Sequence, residues 1–307
     1  MGGMDRKLAL LLVVLAFGTV TYAPHVAYGQ VGQNPEDAVV LAYRFAPGDT
    51  VKYRISQHVT GSRTIPGAAS PTPIDIELAS VIRLRWVRAL PEGAMEIAVE
   101  TEAETLKLAG KEARHYERAK EPKVFRIAPS GKIVAPDHKE NPGKRLPRSP
   151  LDFGSIESIV LMAILPETPV SLGDKWSAEM PLPVSPSAKL QMAFKLEDLR
   201  QTPGGRVATI KQVLNTPINS DVGDDSGQPH GSQEGQATLT FAVDQGRLTS
   251  AQGTIRSELR AKAAVPSVPG GEASASSQNT LITVLLNSKF SVELISPAAK
   301  SSSSPGK

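Results

Sequence analysis

Residues 74–90 alternate between apolar and polar side chains, and this period of two constrains the fold more than any other feature of the chain. The apolar residues of one parity are Ile74, Ile76, Leu78, Ile82, Leu84 and Trp86. Charged residues, including Asp75, Glu77, Arg83 and Arg85, occupy the other parity. Because successive side chains of a strand point to opposite faces, the pattern predicts a long strand with one buried face.

A return strand follows the turn at Pro91-Glu92-Gly93. In it, Met95, Ile97, Val99, Thr101 and Ala103 alternate with Glu96, Glu100, Glu102 and Glu104. The two segments together predict a long antiparallel hairpin. At about 3.3 Å per residue the first arm spans roughly 55 Å, which exceeds a usual strand. We therefore expect a curved sheet or a bulge, with Ser80 as the place for a bend.

Glycine-centred turns recur in the two halves of the chain. Gly48-Asp49 precedes Tyr53 as Gly173-Asp174 precedes Trp176, and later hairpin turns match in order. This order predicts two related half-barrel or sandwich units, residues 30–166 and 167–295. Chance similarity among turns is the alternative, and the sequence leaves both open.

Helical signals are few. Ile156, Ile159, Val160, Ala163 and Ile164 recur at helical spacing before Pro166, which predicts one short helix. Residues 111–121 fit a second helix or a charged strand extension. Residues 216–236 are rich in Asp, Gly, Ser and Gln and predict a flexible loop, and residues 296–307 predict a disordered tail. The fold class is thus mainly β, built of long curved antiparallel hairpins with one or two short helices.

The N-terminus has the organisation of a secretory signal peptide. Arg6 and Lys7 precede an apolar run over residues 8–20, and Ala27-Tyr28-Gly29 has the small-x-small pattern of a cleavage site. Residues 1–29 are therefore predicted to be removed, so that the mature chain starts at Gln30. We expect an exported protein, periplasmic or extracellular, that does not span the membrane after cleavage.

Composition excludes several classes of function. The chain has no cysteine, which rules out disulfides, thiolate metal ligands and a lipid-modified cysteine. Its 34 basic and 31 acidic residues nearly balance, and aromatic residues are only 5% of the chain. Nucleic acid is therefore not an expected partner, since it requires concentrated positive charge and usually stacking aromatics.

No motif in the sequence has catalytic specificity. The histidines after the signal peptide are His58, His115, His138 and His230, and no two have the spacing of ligands on one helical face, so no metal or cofactor is predicted. Asp221, Asp224, Asp225 and His230 fit a solvated acidic loop better than a cation site. The glutamates of the return strand can support glycoside hydrolysis in principle. Pairing with Arg83, Arg85 and Arg88 on the partner strand is favoured.

Two segments carry a family resemblance. At Tyr43-x-Phe45-x-x-Gly48-Asp49 and from Leu165-Pro166 to Gly173-Asp174-x-Trp176, the chain resembles an uncharacterised family of bacterial exported β-rich proteins. That resemblance implies a repeated antiparallel architecture and no known activity. More distantly, the chain looks like the open half-barrel carriers of envelope lipoproteins, whose concave face holds acyl chains. The missing lipidation cysteine departs from many of those proteins.

Three functional hypotheses follow. The first is a non-enzymatic binding protein of the bacterial envelope, carrying a lipid or another apolar ligand in a concave sheet. The residues predicted to line that sheet are Ile74, Ile76, Leu78, Ile82, Leu84 and Trp86. The second is a structural or assembly protein that contacts an envelope partner through strand edges or loops. The third is a hydrolase whose carboxylates or histidines converge from distant strands; no catalytic residue is predicted.

Overall fold

The computed structural model describes residues 38–44, 46–117, 122–134, 163–182, 185–218, 230–264 and 279–295. Twelve strands in this part of the chain form one antiparallel sheet. They are β1 (Thr50–Thr64), β2 (Thr72–Ala89), β3 (Met95–Leu108), β4 (Arg114–Glu117), β5 (Lys123–Ile127), β6 (Ile133–Val134), β7 (Lys175–Leu182), β8 (Ser185–Thr202), β9 (Gly205–Ile218), β10 (His230–Ala242), β11 (Arg247–Ala264) and β12 (Asn279–Ile295). The mainly β prediction is confirmed.

Helix is almost absent from the described ranges. A single 3-10 turn at Pro91–Gly93 joins β2 to β3. Ala163 and Ile164, which end the predicted short helix, are not helical, and residues 156–162 lie outside the described ranges. In the stretch 111–121 the structure places β4, so the strand extension was the right alternative for residues 114–117. None of the described residues forms a helix of the length and apolarity needed to span a bilayer.

The order of strands in the sheet places the first and last strands side by side. From end to end the order is β6, β5, β3, β2, β1, β12, β11, β10, β9, β8 and β7, with β4 paired to β3. The two end strands, β6 and β7, do not pair with each other, so the sheet is open. The sheet runs without a break across both predicted units, and their boundary at residues 166 and 167 stays a prediction.

The hairpin of β2 and β3 has the predicted turn and an unpredicted change of parity. The register shifts between Val81 and Ile82, which face Ala103 and Thr101, so Glu102 is an extra residue in β3. Such a bulge exchanges the faces of all later side chains in the bulged strand. Glu104 consequently lies opposite Ser80, on the buried face. The prediction that all four glutamates of β3 share one face was wrong for Glu104.

Two extended segments, residues 38–44 and 163–171, pack against the inner face, meaning the face of the sheet that bears the buried apolar side chains. We call them the covering segments. They pair with each other at Val39 and Val170 through reciprocal backbone bonds of 2.8 and 2.9 Å. The second segment also joins the two ends of the sheet. Leu165 N donates to Ser130 O in the turn between β5 and β6 at 2.8 Å. Trp176 Nε1 on β7 donates to Ile164 O at 2.9 Å.

The covering segments complete the larger of two apolar clusters. We call it the main cluster. It contains apolar side chains from both covering segments, from the inner faces of β1–β3 and β7–β12, and from Ile127 of β5. Tyr53 is buried in it and donates from Oη to the Leu248 carbonyl at 2.9 Å. Burial raises the pKa of Tyr53 and of Tyr43, because the surroundings disfavour a phenolate. The main cluster holds the covering segments against the sheet.

Candidate binding site on the inner face

The six residues predicted to line a concave sheet all lie on the inner face of β2 and are buried. They are divided between two apolar clusters. Leu78, Ile82, Leu84 and Trp86 belong to the main cluster, under the covering segments. Ile74 and Ile76 belong to a second cluster nearer the start of β2. The residues predicted as one lining therefore belong to two distinct regions of the interior.

The second cluster is a smaller apolar region at the opposite end of the strands. Its buried members are Val59, Ile74, Ile76, Leu259, Val284 and Leu286. Leu106, Leu108 and Ile282 pack against it and are partly buried. The bulge at Glu102 brings Leu106 and Leu108 to this face, opposite Leu78 and Ile76. The apolar members of both covering segments belong to the main cluster instead.

A belt of polar side chains crosses the inner face beside the second cluster. We call it the polar belt. Its members, from β3 across to β9, are Glu104, Ser80, Gln57, Ser288, Ser257, Gln233 and Thr216. From β2 to β11 the belt steps diagonally, since Gln57 faces Leu78 and Ser288 faces Val59 across the ladder. A diagonal course is expected for one layer of a coiled sheet, whose strands tilt against its axis.

Most groups in the belt have hydrogen-bond partners, as buried polar groups require. Ser80 Oγ donates to Ala103 O at 3.2 Å. Gln57 Nε2 donates to Ser288 Oγ at 2.9 Å, linking β1 to β12 on the inner face. Gln57 is only 3% exposed, and its Oε1 atom has no hydrogen-bond partner. An unsatisfied buried acceptor costs about 1–3 kcal/mol of folding free energy, and the fold supplies no hydrogen-bond donor to this oxygen.

The sequence analysis did not identify the polar belt, although its signal is present. Gln57 continues the parity of Val51, Tyr53, Ile55 and Val59, so its position alone predicts burial. Ser80 was considered only as a bend. Thr216 and Gln233 fall in the stretch 216–236 that was predicted as a flexible loop. That prediction was wrong for residues 216–218 and 230–236, which are strand; residues 219–229 lie outside the described ranges.

The glutamates of β3 outside the belt form ion pairs with the neighbouring strands. Arg88 Nη2 lies 3.0 Å from Glu96 Oε2, and Arg83 Nη1 lies 3.2 Å from Glu100 Oε2. Arg83 also pairs with Glu102, which Lys52 Nζ contacts at 3.0 Å. The predicted cross-strand pairing is confirmed for Arg83 and Arg88.

His58 and His115 have different hydrogen-bond partners, and His230 begins β10 with its side chain outside the described part of the structure. His58 Nε2 lies 2.8 Å from Asp75 Oδ1, and His115 Nδ1 lies 2.9 Å from Thr105 Oγ1. Within the described ranges, no three His, Asp or Glu side chains are grouped so that they could hold a metal ion. His138 and the acidic residues 221, 224 and 225 lie outside those ranges.

The outer face of the sheet carries open grooves that the sequence did not predict. Three of them, of about 630, 570 and 460 Å³, meet at Lys289 on β12. Their linings are rich in hydroxyl, amide and charged side chains, including Thr254, Gln236 and His58.

No family model and no curated protein matches the chain. Among solved structures, the chain is similar to a lipovitellin studied for its lipid–protein interactions, at 11% identity and a TM-score of 0.41. That match covers 83% of this chain and 26% of the other, so the chain spans about a quarter of the lipovitellin. The resemblance to an uncharacterised β-rich family agrees with these findings.

Two further structures show weaker likeness. One is an outer-membrane channel from Pseudomonas putida, at 10% identity and a TM-score of 0.23, with 86% of this chain and 100% of the other covered. The other is a DUF1329 family protein from Desulfovibrio piger, at 9% identity and a TM-score of 0.16, with 76% and 83% covered. At these identities and scores, none of the three carries a conclusion about function.

Proposed function

We propose that the protein is a non-enzymatic binding protein of the bacterial envelope that takes up a lipid or another apolar ligand at the second cluster. The observation that carries this proposal is the division of the inner face. The covering segments complete the main cluster, and the polar belt separates it from the second cluster on β1, β11 and β12. On β2 and β3 the two clusters meet at Leu78 and Leu106. An apolar surface set apart in this way suits a removable hydrocarbon ligand better than a permanent part of the core.

The open sheet supports uptake of a ligand. In a closed barrel, access to the interior through the wall breaks ladder hydrogen bonds. Here the end strands β6 and β7 do not pair, and the bonds described between the two ends run through the segment 163–171. Separation of the ends therefore leaves every strand pair of the sheet intact.

The acidic side chains of β3 support a binding role rather than hydrolysis. Glu96, Glu100 and Glu102 are each held by an arginine or a lysine on a neighbouring strand. A carboxylate in such a pair stabilises the outer face of the hairpin and is not presented to a substrate. The predicted signal peptide supports a place in the envelope.

Native mass spectrometry combined with photo-crosslinking tests the proposal. The mature chain, purified without detergent from a bacterial host, is expected to retain an adduct of lipid mass that organic extraction removes. A long-chain alcohol bearing a diazirine should then crosslink to peptides that contain Val59, Ile76 and Leu286, and the unlabelled alcohol should compete. Absence of saturable binding, or crosslinks confined to the outer face, would contradict the proposal.

A second candidate is an assembly protein, and the end of the sheet at β6 favours it. Among the described residues, β6 pairs only with Arg126 and Ile127 of β5. Val124 and Val134 at this end are 56% and 40% exposed. Such an edge can accept a strand from a partner protein. If it does, an envelope protein should crosslink to the wild-type chain and be lost in Val124→Asp with Val134→Asp. The carrier proposal instead predicts unchanged lipid adducts in that variant.

A further inference from the structure

We infer that Gln57 binds the hydroxyl group of an amphiphilic, alcohol-headed ligand whose hydrocarbon chain lies along the second cluster. This inference rests on the proposed function and names the class of ligand that the same site takes.

The first argument is the unsatisfied amide of Gln57. Its nitrogen donates to Ser288 Oγ, while its oxygen has no partner and is shielded from solvent. The hydroxyl of Ser288 can donate as well as accept, so a rotated amide would leave the nitrogen without a partner instead. A hydroxyl group both donates and accepts a hydrogen bond. It therefore satisfies the free end of the amide in either orientation, whereas an ether or an ester can only accept.

The second argument is the position of Gln57 at the border between polar and apolar surface. Val59 follows it by two residues on the same face of β1, and Leu286 precedes Ser288 by two on β12. Both Val59 and Leu286 belong to the second cluster, which continues along β12 to Ile282. From Ser288 to Ile282 the strand rises roughly 20 Å, at about 3.3 Å per residue. A ligand with its hydroxyl at Gln57 thus has an apolar track for its chain.

The third argument concerns charge. The polar belt beside Gln57 offers hydroxyls and amides from Ser80, Ser288 and Ser257, and its one carboxylate is Glu104. No cation is a member of the belt. An anionic head such as a phosphate or a carboxylate would lose its hydration without gaining an opposite charge. A neutral alcohol loses far less, so a head group placed at Gln57 is favoured as an alcohol. The guanidinium that β1 carries on the inner face, Arg63, is six residues further along the strand, opposite Val284.

Two ligands of equal chain length test the inference by titration calorimetry. The probes are 1-decanol, which donates and accepts, and decyl methyl ether, which only accepts. Wild-type protein is expected to bind the alcohol about 3- to 10-fold more tightly, which is the range of one net hydrogen bond. Gln57→Leu should abolish this preference while still binding both probes.

A matched control and a second variant secure the result. Gln212 is equally buried on the inner face of β9, where its Nε2 contacts Met192 Sδ at 3.0 Å, and Gln212→Leu should keep the preference. Should Gln57→Leu fail to fold, Gln57→Leu with Ser288→Ala replaces both partners by apolar groups, a change that is close to neutral for stability. Circular dichroism and the urea midpoint check folding of each variant.

The outcomes separate the inference from the proposed function. Equal affinities of wild-type protein for the two probes would overturn the inference and leave the proposed function standing. A preference that survives in Gln57→Leu would also overturn it, because the hydroxyl would then be bound elsewhere. Failure of both probes to bind saturably would overturn the inference together with the proposed function.

Discussion

Gly48 and Gly173 have the same backbone conformation, each with a φ of 91°, in equivalent turns that lead into β1 and β7. Gly48 N donates to Trp86 O on β2 and Gly173 N donates to Leu196 O on β8, both at 2.8 Å. The backbone carbonyls of the next residues, Asp49 and Asp174, accept hydrogen bonds from the backbone amides of Trp86 and Leu196. The shared geometry supports the predicted internal duplication, which stays a prediction.

Substitution of turn glycines by alanine should destabilise the protein to different degrees. A Cβ on Gly48 meets no atom within 4 Å, so Gly48→Ala should cost only backbone strain, roughly 1–2 kcal/mol. A Cβ on Gly246, which also has positive φ, would lie 2.5 Å from Arg44 N. That nitrogen donates to Gly246 O, so Gly246→Ala should cost more and loosen the first covering segment. Urea unfolding of both variants checks the order, and equal midpoints would contradict it.

Leu286 and Leu285 are neighbours on β12 that face opposite ways. Leu286 is 1% exposed within the second cluster, whereas Leu285 is 39% exposed on the outer face. Leu286→Ala should cost about 2–5 kcal/mol through loss of burial and creation of a cavity, and Leu285→Ala less than about 1 kcal/mol. Denaturant unfolding measures both. A larger loss for Leu285→Ala would mean that the register of β12 is shifted by one residue.

A disulfide between positions 39 and 170 should lock the covering segments together. The two residues exchange both backbone hydrogen bonds, which corresponds to a Cα separation of about 5.5 Å and permits a disulfide. The chain has no other cysteine, so Val39→Cys with Val170→Cys can form only this bond within one molecule. Oxidation should raise the free energy of unfolding by up to about 4 kcal/mol, and dithiothreitol should reverse the gain. Single variants serve as controls, and free thiols after oxidation would contradict the pairing.

The buried phenols should make the fold sensitive to alkali. In unfolded protein tyrosine ionises near pH 10, whereas burial raises the pKa of Tyr53 and Tyr43 in the fold. The folded state then holds more protons than the unfolded state above about pH 10, so stability is complete below that pH and falls as pH rises. Tyr53→Phe loses the bond to Leu248 O, about 1 kcal/mol, at neutral pH. The difference in free energy of unfolding between the wild-type protein and Tyr53→Phe, measured by urea unfolding, should shrink between pH 8 and pH 11. If both proteins lost stability in parallel over this range, the account would be contradicted.

The sequence predicted the strands whose inner face is mostly apolar. In β2 every second residue from Ile74 to Trp86 is buried, and the alternation alone specified the strand. The bulge in β3 was missed because Glu100, Glu102 and Glu104 continue a regular spacing. A signal was present, since the apolar parity changes between Val99 and Leu106.

Other features have no local signal. The pairing of β1 with β12 joins residues such as Gln57 and Ser288 that are 231 positions apart, and nothing near either strand specifies the partner. The covering segments bind through backbone groups and a few apolar side chains without a repeating pattern. The polar belt borders the proposed binding site. Its residues are buried although they are polar, so a rule that infers burial from apolar residues at a period of two does not find them.

The adjacency of β1 and β12 also governs how the chain can reach its fold. A ribosome delivers β1 early and β12 last, so β1 exposes one unpaired edge throughout the synthesis of the rest of the sheet. Contacts at such sequence separation make folding slow, and an unpaired edge invites association with other chains. The centre of the sheet is therefore the last part to be completed, and a holding chaperone that shields β1 would raise the yield of native protein.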